Sequence, residues 1–176
     1  MKKTMCVLAL LLASASAFAQ GTVNFNNKVT ASAINAPVYA PDGVTGLAGA
    51  AYLAQLYAGA DANSLAPVGV AVVFKVNGYF GGGAVSTSLN PATGGTFQVR
   101  AWEAAGGATY DAAVAAGKKF GKSDTFVIAK LGDPAASPPG LPVDLVGLKS
   151  FSLVPEPSTV ALGVLGAAAL LAFRRK

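Results

Sequence analysis

The 176-residue chain contains no histidine and one cysteine, and its thirteen Lys and Arg outnumber its eight Asp and Glu for a formal charge of +5. Ser-His-Asp triads and histidine-bearing zinc sites are excluded by absence, and disulfides and thiol nucleophiles follow once Cys6 is assigned to a leader. Five of the thirteen cations (Lys2, Lys3, Arg174, Arg175 and Lys176) sit at the two ends, so the stretch from Gln20 to Pro157 balances eight cations with eight anions, and no basic surface for nucleic acid is supported.

The first twenty residues carry Lys2 and Lys3, an apolar run from Val7 to Leu12, and Ala17-Phe18-Ala19 ahead of Gln20. That order of charge, apolar run and small-residue site is a secretory signal peptide over residues 1–19, cleaved by signal peptidase between Ala19 and Gln20. Cys6 precedes the apolar run, so it is no lipidation site and leaves with the leader.

Residues 20–154 form the body, long enough for one packed core. "TVNFN" near residue 22 reads as a strand, and Pro41-Asp42-Gly43 as a turn. "AAYLAQLYAG" suits a helix by composition, but Tyr52, Ala54, Leu56 and Ala58 alternate between Gly49 and Gly59, which favours a strand. Asp61-Ala62-Asn63 carries the first two ligand types of a calcium loop without its continuation, and reads as a turn. Asn77-Gly78 between "VAVVFKV" and "YFGGGAV" predicts a hairpin with a type I′ turn. Gly81-Gly82-Gly83 lacks the lysine and helix of a phosphate loop and reads as a glycine-rich hairpin end.

"GTFQVRAWE" alternates Phe97, Val99 and Ala101 against Thr96, Gln98, Arg100 and Trp102, which predicts a strand with one buried side. Thr109 as cap, Asp111 in the first turn and Gly117 as stop predict a short helix in "TYDAAVAAGKKF". Lys118, Lys119 and Lys122 follow as a solvated loop. "DTFVIA" near residue 124 is a further strand, the proline-rich segment 132–142 is an extended loop, and "LKSFSLV" predicts a last strand running up to Val154.

Candidate chemistry in the body is sparse. Glu103 with Asp61 or Asp111 is the available carboxylate pair of a glycosidase type, and surface solubility explains those acids equally well. Tyr79, Phe80 and Trp102 are candidates for a sugar-stacking platform, although aromatics in an all-β protein are more often core.

The tail is more specific. Pro155 and Pro157 hold the chain extended around Glu156, because each proline also steers the residue before it away from helix. Thr159 to Phe173 is an uncharged run of fifteen residues, about 22 Å as a helix, with no polar face. Arg174, Arg175 and Lys176 close it as a cytoplasmic stop signal, which makes the run a short transmembrane helix in the inner membrane.

Val154-Pro155-Glu156-Pro157, Ser158-Thr159, the apolar run and the terminal Arg-Arg-Lys together resemble the PEP-CTERM sorting signal of exported proteins in Gram-negative bacteria. The resemblance implies recognition of the Pro-Glu-Pro box by exosortase, a membrane-embedded processing enzyme. It further implies transfer of the body to the cell surface, often in bacteria that make exopolysaccharide and biofilm matrix. The body, through "GTVNFNN", "AYLAQLYAG", "VRAWE" and "FSLVPEPST", resembles small exported proteins that share this tail, and that likeness brings no activity with it.

The expectation is thus an all-β body, a single antiparallel β-sandwich or jelly-roll-like domain with one short helix, between a signal peptide (1–19) and a sorting signal (155–176, helix 159–173). No cofactor, metal, nucleic-acid partner or catalytic role is expected, and exopolysaccharide is the candidate extracellular partner. The alternatives are a secreted carbohydrate-binding module or glycan-acting protein, and a surface protein whose tail stays as a permanent membrane anchor.

Overall fold

A computed structural model describes residues 20–154. The signal peptide, the Pro-Glu-Pro box, the apolar run 159–173 and the basic tail lie outside the described residues. Among those described, no helix is long and apolar enough to cross a membrane.

Among the described residues nearly every regular element is a strand. In order they are β1 (Thr22–Asn26), β2 (Lys28–Val29), β3 (Ile34–Asn35), β4 (Val38–Tyr39), β5 (Gly49–Gly59), β6 (Ala66–Phe74), β7 (Gly81–Ser86) and β8 (Gly95–Glu103). The helix α1 (Tyr110–Ala115) follows, then β9 (Phe120–Lys122), β10 (Phe126–Ile128), β11 (Val143–Asp144) and β12 (Phe151–Ser152). A five-stranded sheet has the order β10-β8-β5-β6, with β9 also on β8, and a three-stranded sheet has the order β11-β1-β7. Two small pairs, β12-β4 and β2-β3, complete the framework.

One core joins the two larger sheets. The inward residues of β5 and β8 (Ala54, Leu56, Ala58, Phe97, Val99 and Ala101) pack in a single cluster with Val23 and Phe25 of β1 and with Leu145 and Leu153 of the returning chain. The alternation of β5 thus has the cause expected of it, since its even-numbered residues meet that core.

The turn between β6 and β7 follows the Asn-Gly rule. Asn77 and Gly78 both have positive φ (50° and 82°), and Tyr79 N–H donates to Val76 O at 2.9 Å, as a type I′ turn requires. Gly78 is needed twice over, because a Cβ there would stand 2.4 Å from Val38 O. Beyond the turn the hairpin splays, so that β6 joins β5 in one sheet and β7 joins β1 in the other.

The buried Asn27 ties these pieces together. Its Nδ2 donates to Ala36 O (2.8 Å) and Gly78 O (2.9 Å), while its Oδ1 accepts from Phe80 N–H (2.8 Å). In Asn27→Ala, Gly78 O keeps the Val38 N–H, but Ala36 O and Phe80 N–H are left buried without these partners. At about 1–3 kcal/mol for each orphaned group, urea unfolding should show a loss on the order of 2–4 kcal/mol. A loss below about 1 kcal/mol would mean that this hub carries little.

Three expectations need correction. The pairing is not purely antiparallel, since β1 runs parallel to β11 and β4 parallel to β12. The long proline-rich connection allows this, because it carries the chain back to run alongside strands formed far earlier. The final strand is shorter than "LKSFSLV" suggests: β12 spans only Phe151–Ser152, and Val154 adds an isolated bridge to Phe120. The strand β8 is buried on both faces rather than one, with Trp102 fully buried and Thr96 and Gln98 nearly so. Its second face is covered by α1, whose Tyr110 and Ala113 cluster with Trp102 and Tyr57.

Candidate functional site

The last described residues, next to the sorting box, are fixed by hydrogen bonds. Leu153 N–H donates to Tyr39 O at 2.9 Å and Val154 N–H to Phe120 O at 2.8 Å. Leu153 is buried while Val154 is 47% exposed. Gly121 permits this approach, since a Cβ on it would lie 2.6 Å from Ser152 O. The ladder therefore holds the chain as far as Val154, the last described residue. Pro155, Glu156, Pro157, Arg174, Arg175 and Lys176 lie outside the described residues, as do Ala17 and Ala19.

The two ends of the body leave from opposite ends of β8. Exposed Gln20 precedes Gly21, whose N–H donates to Leu89 O, and the Leu89 side chain packs over Gly95, the first residue of β8. At the other end Trp102 of β8 pairs with Phe120, which bridges to Val154. The seven steps from Gly95 to Trp102 span about 23 Å.

The sugar-stacking platform is not assembled. Trp102 and Phe80 are buried, the first under α1 with its Nε1–H donated to Gly107 O (3.0 Å), the second in the main core against Phe25 and Phe74. Tyr79 is half-buried and apart from Trp102, its hydroxyl donating to Asn35 Oδ1 (2.8 Å) and its ring lying under Lys28 Nζ. The aromatic residues were drawn inward because two apolar clusters needed filling.

The acids are occupied locally. Asp61 Oδ1 accepts from Asn63 N–H and Ser64 N–H in its own turn. Asp42 does the same with Val44 and Thr45, and the hydrogen bond from the Thr45 hydroxyl, then those from the two backbone N–H groups, hold its carboxyl below the usual value. Asp111 lies in the first turn of α1, which Thr109 caps through Ala112 N–H (3.2 Å) as its sequence foretold.

A group that the sequence reading left unused is Arg100. Its guanidinium lies 3.9 Å from the Tyr57 ring centroid and 5.2 Å from that of Tyr110, and its Nε–H donates to Gln98 Oε1 at 2.9 Å. Alternation along β8 placed Arg100 beside Trp102 and Gln98, but nothing local reveals the two tyrosines. Burial pushes the hydroxyls of Tyr57 and Tyr110 above the ordinary 10.0, with Arg100 opposing and Asp111 adding to the shift. A folded-state value above the unfolded one stabilises fully below pH 10 and is lost as pH rises through the folded value. Urea midpoints should therefore fall from about pH 10 upward, and the decline should be shallower in the Tyr57→Phe/Tyr110→Phe double variant. An equal slope in both proteins would refute the assignment.

Against known proteins, the model of the PEP-CTERM protein-sorting motif matches residues 153–176. The chain carries a PEP-CTERM sorting motif. Its match starts at buried Leu153, so the motif overlaps the described fold by two hydrogen-bonded residues, Leu153 and Val154. PEP-CTERM marks an exported protein that passes through the membrane and is processed by exosortase, a membrane protease. No curated protein and no solved structure matches the chain.

Proposed function

We propose that this protein is a non-enzymatic structural component of the cell surface or extracellular matrix, associated with exopolysaccharide and biofilm. Signal peptidase frees Gln20. The apolar run and Arg174-Arg175-Lys176 then hold the precursor in the inner membrane, exosortase acts at Val154 to Pro157, and the tail-free body is delivered outside. The observation that carries this reading is the placement of the sorting motif, which begins at Leu153 and Val154, the last described residues, both hydrogen-bonded to the body. The Pro-Glu-Pro box follows directly in the sequence, next to that hydrogen-bonded end.

The test is mass spectrometry of the protein from fractionated host cells. The expected product starts at Gln20, ends within or beside the box, and is found outside the inner membrane. A chain that retains Lys176 and stays in the inner membrane would establish the permanent-anchor alternative.

A further inference from the structure

A polar row crosses the outer face of the five-stranded sheet. Gln55 on β5 stands opposite Arg100 on β8, and Arg100 stands opposite Lys122 on β9. Like charges on directly opposite residues of adjacent strands, whose Cβ atoms are about 5 Å apart, destabilise the pairing, and an anion seated between them reverses the sign of that interaction. Among the described residues, no carboxylate forms an ion pair with Arg100 or Lys122. Asp111 on α1 acts through space on the same tyrosines, and Asp124 follows β9 by two residues, yet neither closes on the pair.

The guanidinium is also held in place. Stacking on Tyr57 and Tyr110 fixes its plane, and Gln98 fixes its Nε edge while its own Nε2 donates to Ser123 O (3.0 Å). Lys122 is exposed and Arg100 half-buried, so the row is open to solvent at one side. A planar, pre-set fork next to a mobile ammonium matches a carboxylate, which the fork receives through paired N–H donors while the ammonium adds charge. Gln55, whose Nε2 is taken by Gly69 O (3.0 Å), keeps its amide oxygen as an acceptor at the edge of this row.

We propose that Arg100 and Lys122 form a binding site for a carboxylate-bearing ligand, with Gln55 at its edge. Such a carboxylate comes either from a small hydroxy acid or from a uronate unit of an acidic polysaccharide, and the polymeric source rests on the surface reading above. The experiment is calorimetric titration of the full chain in neutral detergent with sodium polygalacturonate, sodium galacturonate and neutral dextran. Saturable uronate binding that dextran does not reproduce, weakened roughly tenfold or more in Lys122→Gln and again in Arg100→Lys, and weakened by added salt, is the expected result. Binding by polymer alone assigns the polymeric source, and equal binding per carboxylate by the monomer assigns the small one.

Dextran binding as well as the uronates, no saturable heat with either uronate, or unchanged affinity in Lys122→Gln would overturn the site. Lys122→Gln changes an exposed side chain of an edge strand, so its folding is not at issue. Uronate binding by a protein that keeps its tail in the inner membrane of the host would remove the surface reading and leave the site standing.

Discussion

Glu156→Ala is expected to make the full-length precursor accumulate in the inner membrane, with little tail-free protein outside the cell. Glu156 stands between two prolines, where helix is blocked and neither neighbour can donate to a strand ladder. Backbone bonds hold the chain as far as Val154, the last described residue, and the four residues Pro155 to Ser158 reach at most about 14 Å before the apolar run. On the proposed function the box is the tether between body and bilayer, and its one charge is what exosortase reads. Loss of a charged partner desolvated at an enzyme's binding site costs on the order of 2–5 kcal/mol, more than tenfold in recognition. The thermal melt of the body, residues 20–154, should not move, because a single charge outside it contributes little to its stability. Fractionation of host cells with an antibody to the body checks the first part, and wild-type amounts of tail-free protein outside the cell would sink the sorting role of Glu156.

Trp102→Ala is expected to be the most damaging substitution in the body. Trp102 is the chain's only tryptophan and is fully buried, packed edge-on to Tyr110 with ring centroids 6.3 Å apart. Truncating a buried aromatic of this size costs about 3–5 kcal/mol. Its Nε1–H also satisfies Gly107 O in the turn before α1, so the helix loses both the surface it covers and the bond that anchors its approach. Trp102→Phe keeps most of the packing, loses that bond, and should cost about 1–2 kcal/mol. Urea unfolding followed by circular dichroism measures both. A cost below about 1 kcal/mol for the alanine variant would show that α1 does not depend on this contact.

The sorting motif was legible in the sequence, because its message is covalent order: prolines around an acid, an uncharged run, then three cations. No tertiary contact has to be inferred to read such an order. Locally decided structure was equally accessible. Asn77-Gly78 makes its turn because positive φ is cheap at those two residues, and Thr109 caps α1 because its hydroxyl reaches a backbone N–H three residues on.

What the tertiary structure decided was everything that depends on which distant segment covers a face. The alternation in "GTFQVRAWE" announces one apolar side, and it cannot announce that α1 will cover the other and bury Trp102. The parallel pairs β1-β11 and β4-β12 join residues more than a hundred positions apart, beyond the reach of any local preference. The Tyr57, Arg100 and Tyr110 stack draws on β5, β8 and α1, and it puts Arg100 opposite Lys122 only through the register of β9. Single residue types in a sequence carry charge and size, whereas a site needs direction and neighbours, and here those come from strand pairing.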